Sequence, residues 1–467
     1  MSSPDKSPLD TATIRSLYAI VGHDNVLTDD AECWPYGQDN SRRHAAPDAV
    51  VFSSHTEQIA EIIKLCRQSN TPLTVRGRGT NTTGATVPHR GGIVLSLERM
   101  DKIIEIDADN RLLRAQPGVI NQAVQQCAGK HNLFWPPDPT SAAYCTIGGN
   151  LGMNAAGPYG VKYGSTRDHV LGLTAVTGAG EIIKTGVSTS KGVVGYDLTR
   201  LLIGSEGTLA VITEATLKLS AKPEARKTLR AFYGDIDSAT AAIVAIMKQP
   251  GIPCALEFMD RGALNIIREH TTLALPKKAQ SLLIIEVEGD SQSLPAAATA
   301  VQAAADNKGL LDLHTASSDE ETTELWRLRK ALSPALRDIA PNKLNEDVVV
   351  PVTHLPELLS GLETLSQRYS IPIINFGHAG NGNIHVNLLY DTQDPKQSNN
   401  AHHCLSDVFD LVLALGGTLS GEHGVGLVKK EYVSREIDAV TLNVMGRIKK
   451  SFDPDNILNP DKAFPTE

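Results

Sequence analysis

Apolar and polar residues alternate along one short stretch late in the chain. Ile384, Val386 and Leu388 occupy every second position, and His385 and Asn387 lie between them. Because successive side chains of a β-strand point to opposite faces, this period of two predicts a strand. We expect its apolar face to pack on a core and its other face to present His385 and Asn387 together.

An earlier stretch has the longer period of a helix. Ile59, Ile62, Ile63 and Cys66 recur at intervals of three and four residues, which places them on one side of an α-helix as a buried stripe. The segment 54–57 (Ser-His-Thr-Glu) has the residue types of a capping box, in which the serine and glutamate side chains satisfy backbone N–H groups at a helix start. We therefore expect this box to open the helix.

Further apolar runs predict a series of strands and helices. The predicted helices are 11–21, 237–248, 296–307, 321–340 and 355–368. The predicted strands are 72–75, 170–176, 211–219, 229–233, 255–259, 282–287, 311–315, 345–351 and 371–376, with a hairpin turn at 178–181.

A chain of 467 residues exceeds the length that one hydrophobic core usually covers. The segment 222–224 (Lys-Pro-Glu) predicts a boundary between two domains. Beyond it, alternating strands and helices predict an α+β domain with one antiparallel sheet and helices on one face. We assign residues 1–222 to the first domain, 223–425 to the second, and 426–467 to a C-terminal segment that returns to the first.

The composition is that of a globular protein, with 41% hydrophobic and 21% charged residues. A formal net charge of −9 argues against nucleic acid as a partner. Six widely spaced cysteines without a CxxC pair favour reduced thiols in the cytoplasm over a disulfide framework. Residues 1–9 lack the apolar core of a signal peptide. No apolar run approaches the length of a membrane span, so we expect any membrane contact to be peripheral.

The glycine-rich loop 76–84 follows a predicted strand. Its glycines allow backbone N–H groups to point at an anion, and its hydroxyl side chains add donors. A Walker-type loop requires a lysine that this loop lacks, and a Rossmann fingerprint requires glycine in place of Thr82. Taken alone, the loop fits either an anion-binding site or a tight turn.

A second run, 145–157, contains many small residues. Six glycines fall between Gly148 and Gly164, and Ala155 and Ala156 are also small. Such a backbone allows a flat, extended ligand to lie against it at van der Waals distance. Two such loops in one chain favour a binding site over two unrelated turns.

Three histidines and one carboxylate fall in glycine-rich surroundings. His378 lies in a glycine loop before the predicted strand, where a flexible backbone can fold it back beside His385. Glu422 and His423 follow later, between two glycines. Two histidines and one acidic residue with an open position form the ligand set of a catalytic zinc or similar divalent ion. The alternative is a set of core or surface histidines in ordinary turns.

A series of short motifs stands in order along the chain: 76–80 (Arg-Gly-Arg-Gly-Thr), 137–140 (Pro-Asp-Pro-Thr), 148–150 (Gly-Gly-Asn), 195–198 (Gly-Tyr-Asp-Leu) and 204–207 (Gly-Ser-Glu-Gly). They resemble the FAD domain of the vanillyl-alcohol-oxidase-type (PCMH-type) flavoproteins, in particular the branch of D-lactate, D-2-hydroxyglutarate and glycolate dehydrogenases. The resemblance extends to the Asn-Ile-Leu-Asn-Pro at 456–460. It implies an α+β fold with a PCMH-type FAD-binding domain and a cap domain that carries the substrate and metal sites.

The resemblance also implies the residues that contact FAD. The motif 76–80 contains no histidine or cysteine that could tether the flavin, and Cys145 has no evident tether role, so we expect FAD to be non-covalently bound. The implied cofactor-binding residues are Arg76, Gly77, Arg78, Gly79, Thr80, Asn81, Pro137, Asp138, Thr140, Ser141, Thr146, Gly148, Gly149, Asn150, Gly152, Asn154, Ala155, Glu206, Gly207, Ile212 and Asn459.

By the same resemblance, His378, His385 and Glu422 are ligands of a divalent metal, and His423 is the catalytic base. Zinc is expected, with manganese, iron and cobalt as alternatives. The ion would chelate a D-2-hydroxy acid through its carboxylate and hydroxyl and make the hydroxyl more acidic. Imidazole suits proton removal because it titrates near neutral pH. Hydride transfer from C2 to flavin N5 would yield the 2-oxo acid. The substrate contacts are Arg329, whose alternative role is a solvated charge on a helix, with Ser333 and Asn387.

Other functions fit parts of this pattern. A metal-free flavin oxidase or dehydrogenase of the same superfamily would keep the FAD loops without the metal ligands, and a metal-dependent hydrolase or lyase would use the glycine loops for a phosphate. A catalytically silent flavin subunit could serve a larger complex. For the dehydrogenase, we expect a small 2-hydroxy acid substrate and a quinone, electron-transfer flavoprotein or cytochrome as electron acceptor. We expect a cytoplasmic location, with peripheral contact at the inner membrane as an alternative, and a homodimer is compatible with the sequence.

Overall fold

The computed structural model describes residues 9–269, 271 and 275–465. Residues 1–8, which make up most of the segment compared above with a signal peptide, lie outside the described residues. Within the described ranges, no helix is both long and apolar enough to cross a membrane.

The helices and strands follow in chain order. The helices are α1 (Thr11–Val21), α2 (Asp30–Cys33), α3 (Thr56–Gln68), α4 (Asn121–Gly129), α5 (Ile147–Met153), α6 (Gly160–Tyr163), α7 (Leu198–Leu202), α8 (Ile236–Met247), α9 (Arg261–Glu269), α10 (Leu294–Ala305), α11 (Asp319–Ala335), α12 (Leu355–Tyr369), α13 (Pro395–Ala414), α14 (Val433–Glu436) and α15 (Ala439–Phe452). The strands are β1 (Val26–Leu27), β2 (Ala49–Phe52), β3 (Leu73–Arg76), β4 (Ile93–Ser96), β5 (Ile103–Asp107), β6 (Leu112–Ala115), β7 (Leu133–Phe134), β8 (Val170–Thr177), β9 (Ile182–Gly186), β10 (Ala210–Lys218), β11 (Ser220–Ala221), β12 (Ala225–Tyr233), β13 (Ala255–Met259), β14 (Ser281–Gly289), β15 (Leu310–Thr315), β16 (Asn342–Val349), β17 (Ile373–His378) and β18 (Asn383–Tyr390).

The chain divides into two compact units. Unit 1 contains the described residues of Met1–Ala156, Ser165–Lys222 and Glu422–Glu467, and unit 2 consists of Gly157–Gly164 and the described residues of Pro223–Gly421. The division after Lys222 falls where the sequence predicts a boundary. The last division falls at Gly421–Glu422, four residues before the predicted one after Val425 (425 − 421 = 4). The short segment Gly157–Gly164 joins unit 2 because its polar side chains bond there; Lys162, for example, pairs with Glu288 at 2.9 Å.

Unit 1 contains two main sheets. The first has the order β1-β2-β4-β3, with β2, β4 and β3 parallel. The second is antiparallel in the order β5-β6-β10-β8-β9. The predicted stripe on α3 is confirmed, because its four apolar residues are fully buried in the core of the first sheet.

The predicted capping box at the start of α3 is wrong. The residue before the helix is His55, and its side chain makes no capping hydrogen bond. The Ser54 hydroxyl is instead paired with the His55 ring, at 2.7 Å from Nδ1. Gln58, and not Glu57, reaches back and accepts a hydrogen bond from the backbone N–H of Ser54 at 3.0 Å.

Unit 2 is built on one seven-stranded sheet in the order β15-β12-β14-β13-β17-β18-β16, with all neighbours antiparallel. The predicted antiparallel α+β domain is therefore confirmed, but helices cover both faces and not one. Phe232, Met259 and Phe376 pack with α9 and α11. Tyr233, which points to the other face, donates a hydrogen bond to the Ala305 carbonyl at the end of α10.

Helix coverage on both faces also corrects the prediction for β18. The strand exists as predicted, but every residue of it is buried, including His385 and Asn387. The face that the sequence leaves open is covered by the layer of α9 and α11, to which Leu389 of the same strand belongs. The polar residues of β18 therefore lie inside unit 2.

We predict that the turn between β17 and β18 does not tolerate a side chain at Gly382. Gly382 has φ +73°, and a Cβ there would overlap the Val350 carbonyl oxygen, whereas Gly416 has φ +70° with no atom within 4 Å of its Cβ position. Gly416→Ala should lower the free energy of unfolding by about 1–2 kcal/mol, because alanine is strained in a left-handed conformation. Gly382→Ala should lower the free energy of unfolding by more, because the backbone at Val350 must also move. Urea unfolding of both variants measures the difference, and equal losses would contradict this view of the turn.

Candidate active site

The two predicted histidine ligands lie on neighbouring strands of unit 2. His378 is the last residue of β17 and not a loop residue as predicted, because it pairs with Asn383 of β18 and with Glu257 of β13. His385 pairs with Phe376, two residues before His378, so both imidazoles lie on the same face. Their ring centroids are 5.3 Å apart, and the rings are nearly perpendicular. Both residues are buried, with exposures of 5% and 8%.

A fully buried carboxylate contacts the first of these histidines. Glu257 Oε1 lies 2.5 Å from His378 Nδ1, and Glu257 Oε2 accepts a hydrogen bond of 2.6 Å from Arg329 Nε. Burial alone would raise the pKa of Glu257, but the His378 and Arg329 charges outweigh it and lower the pKa to about 2. Glu257 is therefore an ionised carboxylate shared by an imidazole and a guanidinium group.

A second buried carboxylate fixes the segment that leads to Glu422. Asp347 of β16 pairs with His385 in the sheet. Its carboxylate accepts hydrogen bonds from the Ser420 hydroxyl at 3.0 Å and from the backbone N–H of Gly421 at 2.9 Å. Glu422 follows Gly421 by one peptide bond, so the fixed backbone of unit 2 sets where Glu422 begins.

The third predicted ligand joins the two histidines. His378, His385 and Glu422 each offer one ligand atom, and these atoms all lie within 4.8 Å of one another. Because the His378 ring contacts Glu257 through Nδ1, Nε2 is the ring nitrogen that could bind an ion. Two imidazoles and one carboxylate at this spacing fit a catalytic divalent metal with coordination positions left for a substrate.

The backbone that follows Glu422 is fixed within unit 1. Glu206, which is buried, accepts hydrogen bonds from the backbone N–H groups of Val425 at 2.7 Å and Gly426 at 2.8 Å. Burial raises the pKa of Glu206, although these two bonds act in the opposite direction. Asn81 Nδ2 donates to the carbonyl oxygen of His423 at 3.0 Å. The main chain of the predicted base is thus held by polar side chains.

The predicted substrate contacts lie on α11 and β18. Ser333 follows Arg329 by one turn of α11, and Lys343 Nζ donates to the Ser333 hydroxyl at 2.8 Å. The Arg329 guanidinium uses only Nε for a hydrogen bond among the described residues, so its terminal nitrogens can meet a carboxylate. Asn387 donates to the Ile374 carbonyl, and its buried Oδ1 accepts no hydrogen bond in the described part of the chain.

The two predicted FAD loops lie against each other in unit 1. A Cβ at Gly77 would overlap Thr146 Oγ1, and a Cβ at Gly79 would overlap the Arg76 guanidinium. Thr146 also caps α5 by accepting a hydrogen bond of 3.1 Å from the backbone N–H of Gly149. The motifs at 76–80 and 146–149 therefore form one continuous surface.

Several predicted cofactor residues use their side chains to hold these loops. Arg76 Nη1 donates to the Gln38 carbonyl, and Asn459 Oδ1 accepts from the Val75 N–H. The side chains with such internal bonds are those of Arg76, Asn81, Thr146, Asn150, Asn154, Glu206 and Asn459. Contact with FAD stays a prediction for these residues, as it does for Gly77, Arg78, Gly79, Thr80, Pro137, Asp138, Thr140, Ser141, Gly148, Gly149, Gly152, Ala155, Gly207 and Ile212.

Two glycines of α5 leave a strip of backbone open to a ligand. A Cβ at Gly152 would meet no atom within 4 Å, and one at Gly149 would meet only Thr146 Oγ1 at 3.4 Å. In the neighbouring loop, Thr82 Oγ1 is buried and has no hydrogen-bond partner among the described residues. An uncovered backbone surface in one loop and a buried, unsatisfied hydroxyl in the other fit a flat cofactor with polar groups, such as FAD.

Two known protein families match this chain. Residues 222–463 match the family described as FAD linked oxidases, C-terminal domain, and residues 47–186 match the FAD binding domain. The chain belongs to the FAD-linked oxidase family. The resemblance drawn from the short motifs is confirmed, and the protein is an FAD-binding oxidoreductase. The hydrolase or lyase alternative is therefore wrong.

Relatives match this chain along nearly its whole length. Glycolate oxidase subunit GlcD of Bacillus subtilis (strain 168) is 37% identical over 449 residues, or 96% of each chain. D-2-hydroxyglutarate dehydrogenase of Stutzerimonas stutzeri (strain A1501) is 32% identical over 97% of this chain and 99% of the relative. The solved structure of p-cresol methylhydroxylase with substrate bound has a TM-score of 0.78 at 18% identity, over 97% of this chain and 96% of that chain. That likeness shows the fold alone, and it confirms the predicted two-domain PCMH-type architecture.

Two residues near the site were missed by sequence analysis. Glu257 is an acidic residue in an otherwise apolar, buried strand, and Asp347 lies in the buried part of β16, a pattern that marks a buried charge with a specific partner. For both residues the signal is present in the sequence, but the partner is distant along the chain. Lys343, whose spacing in the sequence argued against a substrate contact, lies beside Ser333.

We predict that a large side chain at Gly152 displaces FAD without unfolding unit 1. Because no atom lies within 4 Å of a Cβ at Gly152, we expect the protein without cofactor to accept a phenylalanine there, whereas FAD bound on that backbone would clash with it. Gly152→Phe should purify folded but colourless. Gly446→Phe on α15 is the matched control, since a Cβ there also meets no atom within 4 Å. The ratio of flavin to protein absorbance measures the effect, and acid should release all flavin from the parent protein. Full FAD content in Gly152→Phe would contradict the assigned surface.

Proposed function

We propose that this oxidase-family protein is an FAD- and divalent-metal-dependent dehydrogenase. It oxidises a D-2-hydroxy acid, such as D-lactate or D-2-hydroxyglutarate, to the 2-oxo acid by hydride transfer from C2 to flavin N5. The observation that carries the proposal is the convergence of ligand atoms from His378, His385 and Glu422 within 4.8 Å, in a chain of an FAD-binding family. A metal-free flavin oxidase has no use for this ligand set, two members of which are buried.

The donor types suggest the ion and its task. His378, His385 and Glu422 would hold zinc, with manganese, iron and cobalt as alternatives that accept the same nitrogen and oxygen donors. A divalent ion bound there supplies Lewis acidity toward the substrate hydroxyl and fixes its orientation. Glu257 and Asp347 support this arrangement because they hold His378 and the backbone before Glu422 in place.

Positive side chains on one side of α11 support an anionic substrate. The terminal nitrogens of Arg329 suit bidentate contact with a carboxylate. Lys343, bonded to Ser333 one turn away, adds a second positive charge. The buried Oδ1 of Asn387 offers an acceptor for a substrate hydroxyl. Two cations accommodate a monocarboxylate such as D-lactate or a dicarboxylate such as D-2-hydroxyglutarate.

His423 would act as the base that removes the hydroxyl proton. An imidazole titrates near neutral pH, which suits this transfer. Glu422 and His423 lie in a bent segment of the loop. The proposal requires their side chains to point apart, so that Glu422 can bind the ion while His423 faces the substrate. Asn81 and Glu206 hold the loop backbone on which this division depends.

The proposal extends to the setting of the reaction. We place the enzyme in the cytoplasm or peripheral to the inner membrane. The electron acceptor is then a quinone, an electron-transfer flavoprotein or a cytochrome, and a homodimer is compatible with this function. An anaerobic assay that follows the flavin itself tests the chemistry independently of the acceptor.

We predict that D-2-hydroxy acids bleach the flavin and that the metal ligands are required. Under anaerobic conditions D-lactate or D-2-hydroxyglutarate should reduce the flavin, and the L-enantiomers should not. His385→Ala should lose the metal and most of the bleaching while keeping FAD, because one ligand of three is removed. His403→Ala, at an exposed position on α13, is the control. Bleaching that survives both a chelator and His385→Ala would favour the metal-free oxidase, and no bleaching by any D-2-hydroxy acid would favour a silent flavin subunit.

We predict that Glu422→Ala and His423→Ala fail in different ways. Glu422→Ala should lose the ion and, with it, substrate orientation. His423→Ala should keep metal and FAD but reduce the flavin about 10²–10⁴-fold more slowly, which is the usual contribution of a positioned base. Higher pH should restore part of that rate, because hydroxide can take the proton. Single-turnover stopped-flow measurements separate the two variants. Bleaching of His423→Ala at the parental rate at neutral pH would show that His423 is not the base.

A further inference from the structure

Glu257 is the only charged residue of β13, and each oxygen of its carboxylate contacts a different side chain. The other four residues of this strand are apolar, and all five are buried. One oxygen of Glu257 meets His378, and the other accepts from Arg329. An unpaired carboxylate in such a place would cost several kcal/mol, so both contacts matter to the folded state. They also join a proposed metal ligand to a proposed substrate contact.

The contact with His378 fixes the state of that ring. A carboxylate at Nδ1 keeps the proton on Nδ1 and leaves the lone pair on Nε2, where an ion can bind. It also stops rotation of the ring about its own axis and increases the basicity of Nε2. The short distance of 2.5 Å between Glu257 Oε1 and His378 Nδ1 is consistent with a charge-assisted bond.

The contact with Arg329 fixes the plane of the guanidinium. Glu257 holds Nε, and the guanidinium carbon lies 4.9 Å from the centroid of the Phe376 ring. Phe376 in turn lies beside the His385 ring, with centroids 5.9 Å apart. With its Nε and one face occupied, Arg329 presents its two terminal nitrogens in a single orientation.

We propose that Glu257 is a positioning residue that aligns the metal ligand His378 and the substrate contact Arg329 through one carboxylate. The inference rests on the proposed function, because it takes the roles of His378 and Arg329 from there. Glu257 acts only through these two side chains. Its removal should therefore weaken metal binding and substrate binding together, although the two ligands occupy different positions.

Zinc titration of metal-free, FAD-loaded protein tests the first contact. Glu257→Gln keeps the size of the side chain but replaces the carboxylate oxygen at Nδ1, and the dissociation constant for zinc should rise about 10- to 100-fold. Glu286→Gln is the matched control. Glu286 is also a buried carboxylate of the same sheet, bonded to Trp326 and Thr228, and its variant should bind zinc within about threefold of the parent. Parental zinc affinity in Glu257→Gln would overturn the proposal.

Single-turnover flavin reduction at saturating zinc tests the second contact. The concentration of D-lactate that gives half the maximal rate should rise about tenfold in Glu257→Gln, the scale of one positioned hydrogen bond to a charged group. In an Arg329→Leu background, Glu257→Gln should cause no further rise, because its effect passes through Arg329. An equal rise in both backgrounds would overturn this route.

A further variant keeps the test decisive if Glu257→Gln does not fold, which circular dichroism and FAD content would show. Glu257→Asp retains the charge but is too short to reach both partners, so at least one of the two affinities should fall about tenfold. Parental values for both would overturn the proposal. A parent protein that binds no zinc would refute the proposed metal site itself. If the parent binds zinc and Glu257→Gln binds it equally tightly, only the role of Glu257 is refuted.

Discussion

The pairing of β17 with β18 is the constraint on which the candidate active site depends. Phe376 pairs with His385 and His378 with Asn383, so the two imidazoles share one face of the sheet. A slip of one residue would turn His385 to the opposite face, because side chains alternate along a strand. Two features oppose such a slip. Gly382 allows the left-handed turn that connects the strands, and Ile384, Val386 and Leu388 are buried on the other face.

Buried carboxylates then hold the polar groups around this pairing. A buried charge is costly unless it meets donors, so each one specifies a partner. Glu257 meets the side chains of His378 and Arg329, whereas Asp347 and Glu206 accept bonds from backbone N–H groups. The first kind of contact orients a functional side chain directly. The second kind fixes a loop, and the functional side chain is placed by the loop.

Local patterns predicted the parts of this structure that depend on nearby residues. The period of two identified β18, and intervals of three and four identified the buried stripe of α3, because each pattern reports one element's own faces. The sequence did not show that α9 and α11 cover the face carrying His385, since that depends on packing between distant segments. The capping error at Ser54 has a similar cause on a smaller scale, because the neighbouring His55 ring competes for the serine hydroxyl.

Prediction of the site residues was limited in the same way, because contacts between distant segments leave no local pattern. His378, His385 and Glu422 were proposed as a set from their types and glycine-rich surroundings, and the structure brings their ligand atoms together. Glu257 was missed because 121 positions separate it from His378. No local pattern connects them, although a glutamate within an apolar strand signals that some partner exists. A charged residue in a predicted core strand is thus informative about a site even before its partner is known.

The position of Glu422 and His423 follows from what holds the chain on either side of them. Asp347 fixes Gly421 immediately before the pair, and Glu206 fixes Val425 and Gly426 shortly after it. Each carboxylate restricts the backbone on its own side of the pair. The roles proposed for Glu422 and His423, a ligand and a base, demand placement to within about 0.5 Å of a productive geometry. The contacts that hold the neighbouring backbone therefore matter to the proposed site as much as the two side chains themselves.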